Sequence, residues 1–291
     1  MNVKKILIPS ELDELSAKVT GFAVELAEQL NISEIVLLNV IIPAHTQAFI
    51  TSGDVFAADS DMAKRYNVIL MEKHHKLAKR EAEKFTTNKV RIRPFARFND
   101  SKTDLNKYME EYEAGLIVGG SHDEQSFLQL LFGSGTKKMI RKVDYPLIII
   151  QDEADAGEID NILVAIDIKE EDQSGLSEIA ALAKDLNARM QLLHVFTDDS
   201  YSPEEAIRKL RELAIKNTFS NYDINVVNND NLEDGIRSFV RKHNPDMIAV
   251  LSQGKGNIHK LIFGSSTVDS ISSTVDIIKE KDKPVFVSKI S

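Results

Sequence analysis

The sequence predicts an α/β protein made of two doubly wound domains, each a five-stranded parallel sheet covered by helices on both faces. Two observations carry that prediction. The chain repeats itself once along its length, and within each copy short β-branched runs alternate with amphipathic stretches.

The repeat is visible in four places. KKILIPSE at 4–11 is matched by NILVAID at 161–167, with Ile6 facing Ile162, and each run stops at an acidic residue. SEIVLLNVI at 33–41 aligns with ARMQLLHVF at 188–196, and GLIVGGS at 115–121 with MIAVLS at 247–252. LLFGSGT at 130–136 and LIFGSST at 261–267 share leucine, phenylalanine, glycine, serine and threonine in order. A period of this length is too long for a solenoid, so the chain divides into two domains, residues 1–152 and 153–291. DEADAGEID at 152–160, acidic and poor in bulky apolar residues, is the expected linker.

The elements follow in order. In the first copy KKILIP reads as a buried strand, and residues 13–30 form an amphipathic helix carrying Phe22, Val24, Leu26 and Ala27. After the strand SEIVLLNVI, the stretch NVILMEKHHKLAKREAEKF spaces Ile69, Leu70, His74, Leu77 and Ala78 at helical intervals. VRIRPFA is a strand, TDLNKYMEEYE a helix and LIVGG a strand; a helix from about 134 and the strand PLIII close the copy. The second copy repeats this with NILVAI, GLSEIAALAKDL, MQLLHVF, PEEAIRKLRELAIKN, DINVV, LEDGIRSFVRKH, MIAVL, a helix from about 265, and PVFVS. Right-handed crossovers leave few topologies, of which the flavodoxin-like strand order 3-2-1-4-5 is the commonest for this count and the expected one. In that order the first and fourth strands are neighbours whose following loops diverge, and the crevice between those loops is where ligands bind.

Composition excludes several classes. The chain has 291 residues, 43% hydrophobic and 28% charged, enough for two cores of ordinary size. A net charge of -9 argues against a nucleic-acid partner. There is no cysteine, which removes disulfide and thiolate chemistry. MNVKKILIPSELDE has too short an apolar run for a signal peptide or a membrane span, so the expected location is the cytoplasm, with no membrane partner.

Glu11 and Asp167 follow the first strand of each copy, and the segments GSHDEQSFLQLLFGS and SQGKGNIHKLIFGSS follow the fourth. This arrangement resembles the universal stress protein family. That family carries an acidic residue after the first strand and, after the fourth, a glycine, two residues, glycine, nine residues, glycine, then serine or threonine. The resemblance covers nearly the whole chain twice. It implies a tandem universal stress protein with the flavodoxin-like (adenine nucleotide alpha hydrolase-like) fold, acting in stress response. In the nucleotide-binding branch of the family these loops hold ATP. The physical basis is that glycines admit the backbone to the ribose and phosphates, while a helix N-terminus offers unpaired N–H groups to the anion.

Carried over residue by residue, the pattern is incomplete in both copies. In the first, Gly120, Gly133 and Ser134 match, Glu11 is the acidic residue, and Asp123 replaces the second glycine. A carboxylate about 4 Å from a phosphate costs on the order of 4 kcal/mol at an effective dielectric of 20, so this site is expected to be degraded. In the second copy Leu251 replaces the first glycine, while Asp167, Ser252, Gly254, Gly264, Ser265 and Ser266 supply the rest, with Lys255 and Lys260 adding positive charge. An ATP or other adenine nucleotide site is therefore expected there, magnesium entering only with the nucleotide. The alternative is an interaction scaffold without nucleotide, in which the glycines serve turns and helix caps.

Catalytic signals are thin. His74 and His75 point about 100 degrees apart on a charged helix, cannot share a metal, and read as a solvated face. His194 reads as a satisfied buried histidine, and Ser134 and Ser265 as caps or phosphate donors rather than nucleophiles. No metal spacing or acid–base pair is found, so the protein is not expected to be an enzyme. A weak phosphatase or ATPase would depend on added magnesium and on Asp167.

Two features are particular to this chain. The first copy has about 24 extra residues after its second strand, mostly IPAHTQAFITSGDVFAADSDM at 42–62, which suits a lid over the first crevice or a patch packed on the other domain. The final strands PLIII and PVFVS are apolar sheet edges. By resemblance the two edges pair within one chain as an internal pseudo-dimer, with a homodimer as a further level of assembly.

Overall fold

The computed structural model of the chain describes residues 1, 3–41, 43, 60–98, 105–120, 143–151, 157–169, 174–197, 201–253 and 283–290. The strands are β1 (Lys5–Pro9), β2 (Glu34–Ile41), β3 (Arg91–Phe98), β4 (Leu116–Gly120) and β5 (Leu147–Ile150), then β6 (Asn161–Ala165), β7 (Arg189–Phe196), β8 (Tyr222–Asn228), β9 (Met247–Gln253) and β10 (Val285–Ile290). The helices are α1 (Glu14–Gln29), α2 (Ser60–Phe85) and α3 (Leu105–Tyr112), then α4 (Leu176–Leu186), α5 (Pro203–Lys216) and α6 (Leu232–His243). The helices expected from about 134 and from about 265 lie outside the described residues.

The ten strands among the described residues form one sheet in the order β3-β2-β1-β4-β5-β10-β9-β6-β7-β8, so each half has the order 3-2-1-4-5. Within each half every pairing is parallel. The halves meet through the antiparallel pairing of β5 and β10, in which Ile148 faces Phe286, and the two apolar edges thereby satisfy one another. The outer strands β3 and β8 are the remaining edges, which is where Pro94, lacking a backbone donor, is tolerated.

Side chains alternate across the sheet, and two cores result. On one face Ile6, Ile8, Ile35, Leu37, Phe286 and Leu192 pack with residues of α1, α4 and α5. On the other Leu7, Val36, Leu38 and Leu193 pack with α3 and α6. Both cores run through the two halves without a break. The helices start and stop where local chemistry requires it. Asp13 caps α1 by accepting from Ser16 N at 2.8 Å. At α5, Ser202 and Glu205 form a capping box with Pro203 behind it. Asn187 ends α4 in the left-handed region, φ 57°.

The region after β2 departs from the sequence reading. Helix α2 starts at Ser60, so the helix expected from residue 67 takes in the end of the extra segment, while residues 44–59 lie outside the described residues. It has 26 residues against 14 in α5, its counterpart. The difference is about 18 Å of helix at 1.5 Å per residue. Because α2 returns antiparallel to β2, those added turns extend past the carboxyl ends of the strands. Ile69, expected on the packed face, is therefore 64% exposed.

Candidate functional site

Two crevices open at the carboxyl ends of adjacent strands, β1 beside β4 and β6 beside β9. Glu11 and Asp167 each lie in the loop leaving the first strand of the pair. Glu11 is exposed; its N–H donates to Ser16 Oγ at 3.0 Å. Asp167 is half-buried between Ile166 and Ile168, both buried, and its Oδ1 accepts from Lys169 N at 2.9 Å, which bends the loop back on its own carboxylate.

Gly120 ends β4 and packs beneath α1: a Cβ there would meet Leu15 Cγ and Cδ2 at 2.7 Å. The glycine is thus required by helix packing, whatever its role toward a ligand. Leu251 occupies the matching position of β9 and is 2% exposed within the core that includes Leu176 and Ile179. Its side chain faces the sheet's helical layer, not the crevice mouth. Ser252 is not in a loop; it continues β9 and pairs with Lys289. Gly133 and Ser134 of the first copy, and Gly254, Gly264, Ser265 and Ser266 of the second, lie outside the described residues, as do Asp123, Lys255 and Lys260.

Beside the Asp167 loop is a cavity of about 230 Å³ lined by Ile168, Lys209, Glu212, Leu213 and Lys216. Lys209 Nζ lies 4.1 Å from the Tyr201 ring centre and 3.1 Å from its hydroxyl oxygen. No sequence signal tied α5 to this loop, since more than thirty positions separate Ile168 from Lys209 and only the crossover brings them together.

Two further polar residues stand under the crevices. His194, 5% exposed, donates from Nδ1 to the carbonyl of Ile166 at 3.0 Å, and its ring meets Phe196 edge to face. Asn39, 2% exposed, donates from Nδ2 to the carbonyl of Ser10 at 2.7 Å. Its oxygen then faces His74 Nδ1 at 2.8 Å, so the imidazole is the donor. The reading of His74 as a solvated surface residue is therefore corrected. It is half-buried, whereas His75 is exposed, because α2 presents position 74 to β2. Burial, aided by the neighbouring charge of Lys73, holds the His74 pKa below its ordinary value. A signal for Asn39 was present in the repeat: it is the lone polar residue of VLLNVI and aligns with His194.

No group of residues suited to holding a metal occurs among the described residues. Among the same residues, no helix is long and apolar enough to cross a membrane.

The topology and its paired crevices define a tandem flavodoxin-like α/β protein. The model of the universal stress protein family matches residues 2–151, just over half of the 291-residue chain, and the chain belongs to that family. A universal stress protein from Archaeoglobus fulgidus DSM 4304 is similar in structure, with a TM-score of 0.63, 21% identity, and 99% of this chain and 96% of that chain covered. A functionally unknown protein from Pseudomonas aeruginosa PAO1 is similar with a TM-score of 0.55, 15% identity, and coverage of 99% and 93%. These likenesses concern the fold alone. No curated protein matches the chain in sequence.

Proposed function

We propose that this universal stress protein works in the cytoplasm by binding rather than turnover, its second domain (residues 153–291) taking an adenine nucleotide such as ATP. The observation that supports this most is the half-buried Asp167 at the switch between β6 and β9, held by its own loop beside a cavity lined by Ile168, Leu213, two lysines and Glu212. Ile168 and Leu213 offer apolar surface, and Lys209 and Lys216 offer positive charge beside Glu212, whose own charge is taken up by Arg208 at 2.7 Å. Gly254, Gly264, Ser265 and Ser266, with Ser252 at the end of β9, are the proposed remaining contacts, and magnesium would arrive with the nucleotide. The crevice of the first domain (residues 1–152), with Glu11, Gly120, Gly133 and Ser134, is the degraded copy.

Calorimetric titration of the purified protein with ATP, after extraction of any nucleotide carried through purification, tests this. Saturable binding that Gly264→Trp abolishes is the expected result. Absence of both carried nucleotide and titratable binding overturns it.

A second reading, an interaction scaffold without nucleotide, is favoured by the added turns of α2, which expose Tyr66 at 54%, Val68 at 59% and Ile69 at 64%. Under that reading Gly264→Trp changes no activity of the protein, and substitution of Tyr66 and Ile69 does.

A further inference from the structure

The two copies hold the same backbone atom in different ways. Strand register makes Asn39 and His194 equivalent: Ile6 pairs with Ile35 as Ile162 pairs with Met190, and each polar residue stands four places further along. Each donates to the carbonyl of the residue just before the crevice carboxylate, Ser10 before Glu11 and Ile166 before Asp167. The backbone around those carbonyls is also the same. Ser10 N donates to Leu38 O, and Ile166 N to Leu193 O, both at 2.9 Å.

What differs is where the imidazole comes from. In the second copy it stands on the strand. In the first the strand carries the shorter asparagine, and the imidazole of His74 approaches from α2 to meet Asn39 Oδ1 at 2.8 Å. An offset of 132 positions relates the buried positions of α2 to those of α5, Ala78 to Leu210 and Ala82 to Ala214, and carries His74 onto Ala206, which is 0% exposed. Where the second copy has a histidine on the strand and an alanine on the helix, the first has an asparagine on the strand and a histidine on the helix.

We propose that the Asn39–His74 pair and His194 are interchangeable positioning devices, each setting the loop that carries its crevice carboxylate, Glu11 or Asp167. The first loop needs such a device. Leu12 has φ 64°, a conformation that a branched residue holds only when its surroundings impose it. Ser10, 0% exposed, is the fixed point of that loop: its N–H and its carbonyl are bonded to β2, and its Oγ accepts from Leu12 N at 3.0 Å. Asn39 is held in the rotamer that serves Ser10 because His74 occupies its oxygen. The positioning role concerns the loop itself and stands apart from the nucleotide reading.

Hydrogen exchange of single backbone amides, followed by NMR, tests the proposal on the full chain. His74→Ala is expected to speed exchange at Ser10 and Leu12 by about fivefold or more, the scale of one lost hydrogen bond, while Ile166 and Lys169 keep their rates. His74→Gln, which keeps a donor, stays near wild type. The double variant Asn39→His with His74→Ala rebuilds the second copy's arrangement. It is expected to return the rates toward wild type, with the new imidazole giving the nitrogen shifts of a ring protonated at Nδ1, as at His194. Unchanged rates in His74→Ala, a double variant no slower in exchange than the single one, or loss of the first copy's native amide spectrum in the double variant would each overturn it.

Discussion

Gly120 lies so close to Leu15 that a single added carbon would sit 2.7 Å from both Cγ and Cδ2 of the leucine, and 3.1 Å from Val19 Cγ2. Helix α1 thus rests on β4 with no room for a side chain. Gly120→Ala is expected to destabilise the protein by about 1–3 kcal/mol through overpacking. In a Leu15→Ala background the added methyl should cost less, since the two sites share one space. Urea denaturation of the wild type and the three variants measures both effects, and an unchanged midpoint in Gly120→Ala would contradict the packing.

His74 titrates below its ordinary value because burial, and secondarily Lys73, disfavour the cation. In the unfolded chain a histidine binds its proton near pH 6.5, earlier than the folded His74 does as pH falls. Stability is therefore free of this cost above about pH 6.5 and declines as pH falls from there through the folded value. Lys73→Gln is expected to raise the His74 pKa, read from its ring-proton shift in an NMR titration. A fall would show that Lys73 acts in some other way.

Tyr112 packs against Phe95 with ring centres 4.5 Å apart and with Arg97 over its ring, and burial pushes its phenol pKa up to about 12. The folded state prefers the neutral phenol, so its contribution is complete below about pH 10 and is lost as pH rises toward 12. An alkaline absorbance titration is expected to show an ionisation near pH 12, and Tyr112→Phe should remove it.

Phe286 is 0% exposed and faces Ile148 across the antiparallel seam between the halves. Phe286→Ala is expected to cost about 3–5 kcal/mol, as large aromatic deletions in cores do. Since both cores run through the seam, unfolding in urea should remain one transition, shifted to lower denaturant. Two separated transitions in the wild-type protein would mean that the shared cores do not couple the halves.

Much of this architecture could be read from residues alone, because strand burial leaves its mark in the sequence as runs such as KILIP, LIVGG and NILVA. The repeat placed Glu11 and Asp167 at matching positions, and sheet topology then put each at a crevice. Boundaries were less legible. Helix α2 begins seven residues before its apolar periodicity does, since turns that project beyond a sheet need no buried face and carry no stripe to announce them. The i, i+4, i+8 spacing of Leu70, His74 and Ala78 puts His74 and not His75 on the packed face, but the charge of the surrounding helix favours the solvated reading, and only the meeting with Asn39 decides between them.

The duplication, the alternation of strands and helices, and the apolar character of the edges β5 and β10 were thus determined by the amino-acid sequence, because they follow from how apolar residues must be hidden; that the two edges pair with one another was implied by the family resemblance and is seen in the sheet. Tertiary structure alone decided that Gly120 is demanded by Leu15, that Leu251 faces the core, and that Ile168 and Lys209 line one cavity. It also decided that an imidazole supports the crevice loop from the helix in one copy and from the strand in the other. Such relations depend on distances between residues remote in the chain, and local pattern does not encode those distances.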